Sequence, residues 1–262
     1  MIKKLVIILI LVLILLTIYL ISLILRNRDK FTNYKNIEYS DKLSVQDIKN
    51  LHIGQKMMTN MFDKFNNICR RHNIKYWCLG GTLIGVVRHK GWVPWDGDID
   101  LGILEEDYNK LKEILPKELP RDMWFQNKTN DKYYNSDIGK IRDLNSCYIE
   151  YTNNGNTQNH NGLQIDLFIF SINNKLIEGN YPVCGNPDKN KRPLSDIFPL
   201  NEDKFEGINV YIPNKTEQIC KELWGGFPPI MIPKEKRSAH EGNIDPKKTC
   251  NFHKDKYPEL IL

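Results

Sequence analysis

Three aspartates stand at alternate positions in Trp95-Asp96-Gly97-Asp98-Ile99-Asp100-Leu101. On an extended strand, residues i and i+2 face the same way, so Asp98 and Asp100 project from one face. Paired hard carboxylates at that spacing suit Mg2+ or Mn2+, which leave coordination positions to water and phosphate oxygen. Asp96, in the loop after Pro94, is in reach as an outer ligand. An isolated Asp-x-Asp is also what a solvated acidic turn looks like. Asp166 weighs against that bland reading, because it interrupts the apolar run Ile165-Asp166-Leu167-Phe168-Ile169-Phe170. A carboxylate there is costly to bury unless it is paired or metal-bound. On a neighbouring strand it would complete a metal-binding triad, hold a second ion or act as general base towards a hydroxyl. A structural salt bridge to Lys140 or Arg142 is the competing reading.

Upstream lies Leu79-Gly80-Gly81-Thr82. An apolar run ending in glycines and then a helix brings free backbone N–H groups close to a ligand. Helix N-termini attract phosphate through those donors and the helix dipole. Glycine removes the Cβ that would block approach, and Thr82 can cap the helix or donate to a phosphate oxygen. Most such turns are only turns, so the segment gains weight from its neighbours. Arg88, His89 and Lys90 lie between the glycines and the aspartates in sequence, and Lys140 and Arg142 alternate further on. The first cluster reads either as phosphate-neutralising groups or as a solvated helix end, while Lys140 and Arg142 on an expected strand would face one side together.

The elements that must position these groups are legible in the periodicity. Ile48, Leu51, Met58, Met61, Phe62, Phe65 and Ile68 recur at three- and four-residue steps, which predicts a helix with a core-facing stripe. Ser44, with Asp47 three residues on, starts it, and Asn73 stops it. His52 and His72 read as solvent-facing or locally bonded. Strands are expected at 74–79 and 99–104, with a helix at 82–89 between them. Glu105-Glu106-Asp107 opens a further helix that Pro116 ends. Strands of one sheet are expected at 123–126, 138–142 and 147–151, then a polar loop at 153–161 and a further strand at 162–170. Ten of the 13 prolines lie beyond residue 180. That third reads as irregular chain with one strand at 207–212 and one helix at 216–223, stopped by Gly225-Gly226.

Residues 5–25 are apolar except for Thr17, Tyr19 and Ser22. As a helix this run would be about 31 Å long, close to one bilayer core of about 30 Å. It is longer than a signal-peptide core and lacks an Ala-x-Ala-like cleavage site. The expectation is a retained transmembrane anchor at 1–25, then a polar tether at 26–43, a domain at 44–226 and a Pro-rich extension at 227–262. Basic residues on both flanks leave orientation open. The sequons Asn127-Lys128-Thr129 and Asn214-Lys215-Thr216 favour a lumenal domain, hence a type II single-pass protein of the secretory pathway. The net charge of +5 owes much to the first 30 residues, which hold five basic groups and one acidic group. Without them it is +1. A near-neutral body argues against non-specific nucleic-acid binding. Six scattered cysteines permit disulfides without fixing their pairing. His240, Cys250 and His253 suggest a zinc site only weakly, since no second close pair accompanies them.

Taken together, the chain resembles the LicD/fukutin-related family of phosphotransferases, within the nucleotidyltransferase fold. The resemblance rests on Leu79-Gly80-Gly81-Thr82, Arg88-His89-Lys90-Gly91, the Trp95–Leu101 segment and Gln164-Ile165-Asp166-Leu167-Phe168. A later stretch, Phe198-Pro199-Leu200 and Phe205-Glu206-Gly207 followed by Leu223-Trp224-Gly225, also looks familial. It covers roughly residues 45–226. The likeness implies an α+β fold, a mixed β-sheet flanked by helices. It implies transfer of a phosphorylated alcohol, such as phosphocholine or ribitol phosphate, from a CDP-activated donor to a glycan or glycolipid hydroxyl at a membrane. By that likeness Asp98, Asp100 and Asp166 hold Mg2+ or Mn2+, and Gly80, Gly81 and Thr82 contact donor phosphate. Gly97 stands where many members of the family carry another aspartate, which leaves a fourth acid without a role. The alternatives are an inactive relative that binds a sugar or nucleotide or serves as a structural membrane protein, and a nucleotidyltransferase acting on nucleic acid or an antibiotic.

Overall fold

Ser44 starts the first long helix, α1 (Val45–Arg71), through a reciprocal capping box with Asp47. The Ser44 hydroxyl accepts from the Asp47 N–H at 3.2 Å, and Asp47 Oδ2 accepts from the Ser44 N–H at 2.8 Å. The helix ends where Asn73 turns to φ 52° and the Ile74 N–H donates back to Cys69 O at 2.8 Å. The expected apolar stripe is the core face: Leu51, Met58, Met61, Phe62, Phe65 and Ile68 are all buried. Each such side chain contributes about 1.5–3 kcal/mol when removed from water. Phe62 packs edge-on against Tyr76 and Phe205, with ring centroids 5.8 and 5.9 Å apart. This locks α1 onto two different strands.

These details come from a computed structural model that describes residues 12, 14–17, 19, 39, 42–148, 162–180, 191–234, 237 and 243–250. The chain divides into two units, Met1–Tyr39 and Ser40–Leu262. In the second, α1 is followed by β1 (Tyr76–Cys78), α2 (Gly80–His89), β2 (Ile99–Leu104), α3 (Glu105–Glu118), β3 (Met123–Gln126), β4 (Gly139–Asp143) and β5 (Cys147–Tyr148). Then come β6 (Gln164–Asn173), β7 (Leu176–Gly179), β8 (Lys191–Pro193), α4 (Leu194–Ile197), β9 (Asn201–Phe205), β10 (Ile208–Ile212), α5 (Thr216–Trp224) and β11 (Ile244–Asp245).

The main sheet runs β1-β2-β6-β4-β3, with β7 added to β6 and β8 to β7. Among the described residues only β2 and β6 pair in parallel, and the other strand pairs of this sheet are antiparallel. A mixed, mostly antiparallel sheet with helices packed on it is the α+β architecture expected. The register matters most for function. Asp100 stands opposite Asp166 across β2–β6, Asp166 opposite Lys140 across β6–β4, and Lys140 opposite Gln126 across β4–β3. Directly opposed residues share a face, so one polar row crosses four strands.

Several expectations are corrected. Among the described residues no helix is long and apolar enough to cross a membrane. That overturns the transmembrane helix expected over 5–25 and the type II single-pass placement built on it. An apolar run is not sufficient, because a span needs about 20 residues of continuous helix. The described part of that stretch (Val12, Ile14 to Thr17, and Tyr19) is helical, and the rest of it lies outside the described residues. The helix α3 continues through Pro116 to Glu118, since a proline in the last turn removes only one intrahelical bond. The strand β5 pairs with β11, not with the main sheet. The last third carries more strand than its prolines suggest. Consecutive positive-φ residues, Asn174-Lys175 and Glu206-Gly207, tighten two hairpins there, β6–β7 and β9–β10. The polar loop at 153–161 lies outside the described residues.

Candidate active site

The site is built on the backbone of Asp100. Leu79, the residue after β1, donates its N–H to Asp100 O at 3.0 Å. The Asp100 N–H donates to the Thr82 hydroxyl at 2.8 Å. The strand carrying the acid is thereby tied on both sides to the start of α2. Thr82 is buried, so its hydroxyl is first of all a clamp on Asp100. Gly80 opens α2 at φ +51°, a conformation that glycine adopts without strain. A methyl group on Gly80 would lie 2.5 Å from Asp100 Oδ2, and one on Gly81 would lie 2.2 Å from Asp96 Oδ2. The two glycines are therefore the seats of two carboxylates, at the helix end whose dipole favours negative charge.

Asp98, Asp100 and Asp166 come together, and one oxygen from each lies within 4.8 Å of the others. Oxygens at about 2.1 Å from a single Mg2+ are separated by no more than about 4.2 Å. Small side-chain rotations suffice to close that gap, so the three carboxylates fit a divalent cation. Burial pushes the Asp100 carboxyl well above the ordinary carboxylate range. Asp98, Asp166 and Asp96 push it further, and Lys140 opposes them. A carboxyl that resists ionisation this way is one whose charged form a cation would stabilise.

Lys140 is the resident counter-charge. It is buried and donates to Asp166 Oδ1 at 2.9 Å, to Asp166 Oδ2 at 2.8 Å and to Gln164 Oε1 at 3.1 Å. Both Asp166 oxygens thus already accept a charged hydrogen bond. That favours Asp166 as a fixed anionic ligand over a proton acceptor. Arg142, fully buried, turns to Gln126 Oε1 at 2.9 Å, to Gly162 O at 3.1 Å and to Gln164 Oε1. It braces the row from the same face, one step along β4.

Gln164 escaped the sequence reading. Its Nε2 reaches Asp98 Oδ2 at 3.4 Å while its Oε1 accepts from both Lys140 and Arg142. It joins Asp98 to the basic pair. The available signal was its position two residues before Asp166 on one strand, hence on the same face.

The first basic cluster is elsewhere. Arg88 and His89 occupy the last turn of α2, about 12–13 Å along the axis from Gly80. Arg88 donates to Pro229 O at 2.8 Å, and Lys90 pairs with Asp203 at 2.8 Å. Burial, and then the neighbouring Arg88, hold the His89 imidazole below its usual value. Nearness in sequence does not become nearness in space, because a helix separates its two ends.

The remaining motifs resolve separately. Cys250 is disulfide-bonded to Cys147, which removes it as a zinc ligand, and His240 and His253 lie outside the described residues. Asn127 is buried, with its Oδ1 accepting from the Thr129 N–H at 2.8 Å, so the first sequon offers no accessible amide. Asn214 Nδ2 donates to Ser195 O at 3.0 Å.

Comparison with known proteins adds to this geometry. A family model described as LicD/FKTN/FKRP, nucleotidyltransferase domain, matches residues 73–215, more than half of the chain. The lipopolysaccharide cholinephosphotransferase LicD of Haemophilus influenzae is 39% identical over 79 residues, 30% of this chain and 26% of that protein. The ribitol 5-phosphate transferase FKRP of Mus musculus is 44% identical over 41 residues, 16% of this chain and 8% of that protein. An uncharacterised protein of Rickettsia prowazekii is 38% identical over 78 residues, 29% of each chain. Each alignment thus spans under a third of the relative concerned.

Proposed function

Since the chain belongs to the LicD/FKTN/FKRP nucleotidyltransferase-domain family, we propose that it is a divalent-metal-dependent transferase of phosphorylated alcohols. The donor is a CDP-activated alcohol of the phosphocholine or ribitol phosphate kind, and the acceptor is a hydroxyl of a glycan or glycolipid. The observation that carries this reading is the convergence of Asp98, Asp100 and Asp166 within 4.8 Å beside the Gly80-Gly81 start of α2. The names of the relatives, a cholinephosphotransferase and a ribitol 5-phosphate transferase, supply the class of transferred group.

Asp98, Asp100 and Asp166 would hold Mg2+ or Mn2+, which supplies charge neutralisation for a diphosphate and for the departing nucleotide phosphate. The chain's own groups do the rest. Lys140 holds the Asp166 carboxylate in one rotamer through two hydrogen bonds. Thr82 and Leu79 hold the Asp100 backbone so that its carboxylate faces Asp166. The N-terminal amides of α2 orient donor phosphate. The acceptor hydroxyl oxygen forms a bond to the phosphorus bearing the alcohol, and its proton passes to solvent water. The bond to the nucleotide phosphate breaks, and CMP leaves.

The test is direct. Purified protein is incubated with CDP-choline or CDP-ribitol, Mn2+ and a panel of glycan acceptors, and CMP and acceptor mass are followed. Turnover that is lost on chelation and in Asp98→Asn and Asp100→Asn is expected. Full activity in either folded variant, or with chelator present, would overturn the metal assignment.

A further inference from the structure

Gln55 lies on α1, outside the stretch that matches the family, yet its side chain is buried against the loop that carries Asp96 and leads into Asp98. Its Nε2 lies 3.4 Å from Val93 O, 3.2 Å from Pro94 O and 2.9 Å from Asp96 O. One amide group thus gathers three carbonyls of one tight bend. The same bend is closed internally by the Asp96 N–H donating to Val93 O at 3.0 Å. With Nε2 turned to the loop, Oε1 faces His52 Nδ1 at 3.2 Å, so the ring donates there and fixes the direction of the amide. A buried carbonyl without a donor is costly, and proline at 94 has no N–H of its own to offer. Gln55 thus adds to the internal hydrogen bond a side-chain donor for Pro94 O and Asp96 O.

The consequence reaches the carboxylates. The bend seats Asp96 against Gly81 and leads through Asp98 into β2, which begins at Ile99, one residue before Asp100. We infer that Gln55 is a positioning residue for the Asp98–Asp100 edge of the divalent-cation site, acting through the 93–96 loop and oriented by His52. The inference rests on the metal reading given under Proposed function. A group that orients ligands without touching the ion typically changes metal affinity by about 10–100-fold when it is lost.

Mn2+ binding to the full chain, read by electron paramagnetic resonance, separates the two claims. Wild-type protein is measured beside Gln55→Met, which keeps the shape and removes the donor, and Gln55→Asn, which keeps an amide that falls short of the loop. Ile68→Ala is the control, since it cuts the core face of α1 about 20 Å along the axis from Gln55. The expected result is Mn2+ binding about tenfold weaker in Gln55→Met, with Gln55→Asn between it and wild type. Ile68→Ala should melt earlier but bind Mn2+ as wild type does. If Gln55→Met does not fold, Gln55→Asn decides alone. Wild-type affinity in the folded Gln55 variants, or equal weakening in Ile68→Ala, would overturn the positioning role. Absence of Mn2+ binding in wild type would instead overturn the metal reading, and the positioning role with it.

Discussion

Lys140 donates to both carboxylate oxygens of Asp166, and the two residues stand directly opposite one another in the β4–β6 ladder. Both side chains are almost wholly buried, at 5% and 8% exposure. Removing one member of such a pair leaves a charge without compensation, at a cost of about 3–5 kcal/mol. Lys140→Met is therefore expected to lower the thermal midpoint by about 6–20 °C in a chain of this size. A divalent ion added to the variant supplies another positive partner for Asp166. The midpoint of Lys140→Met should accordingly rise more on adding Mn2+ than that of wild type. Calorimetry of both proteins with and without Mn2+ checks this, and equal shifts would show that Lys140 and the ion do not share Asp166.

The two glycines should separate by mechanism. Gly80→Ala places a side chain at φ +51° and 2.5 Å from an Asp100 oxygen. The left-handed conformation alone costs about 1–2 kcal/mol, and the carboxylate must also move. Gly81→Ala meets only the far end of Asp96, at 2.2 Å from Oδ2. That side chain can rotate aside without disturbing the fold. Denaturant titration should find Gly80→Ala destabilised and Gly81→Ala nearly unchanged, while transfer activity falls at least about tenfold in Gly80→Ala. A stable, fully active Gly80→Ala would remove Asp100 from the site.

Acid should weaken the fold through half-buried His52 and through His89, whose ring is exposed yet partly desolvated at the end of α2. Burial, followed by Lys56, holds the His52 imidazole below its usual 6.5, with the Gln55 hydrogen bond opposing. Burial, followed by Arg88, does the same to His89. With a folded value below the unfolded one, the unfolded chain takes up the proton first as pH falls. The stability contributed is complete above 6.5 and is lost as pH drops from there towards the folded values. Unfolding midpoints in urea at pH 7.5 and 5.5 should differ less in His52→Gln and in His89→Gln than in wild type. An unchanged difference in both variants would assign the acid sensitivity to other groups.

Local chemistry carried much of this structure in the sequence. Ser44 and Asp47 mark a helix start because a capping box is made within four residues, and β2 falls where expected because acidic residues open the helix right after it. The pairing of Asp98 with Asp100 follows from strand alternation alone. Bringing Asp166 to them does not, since it depends on β2 and β6 lying parallel and in a register set by packing. Arg88 and Lys90 mislead for the complementary reason. They are close to the glycines in sequence, but α2 carries them away to Pro229 and Asp203. Gln55 was hidden altogether, because its partners are backbone carbonyls 38 to 41 residues distant, and carbonyls leave no trace in residue types.

The disulfide between Cys147 and Cys250 closes a separation of 103 residues. It fastens β11 to β5 at a two-residue ladder, where Asn50 of α1 adds a hydrogen bond to Ile244 O at 3.0 Å. So short a ladder holds weakly without the covalent link. Closing a loop of this length lowers the entropy of the unfolded chain, with a typical gain of about 2–4 kcal/mol. Reduction, or Cys250→Ser, should therefore lower the urea midpoint and speed hydrogen exchange at Ile244 and Tyr148. The carboxylates depend on a different sheet, so Mn2+ affinity should be unaffected in Cys250→Ser. Loss of Mn2+ binding in that variant would mean that the β5–β11 ladder supports the metal site, contrary to the sheet order.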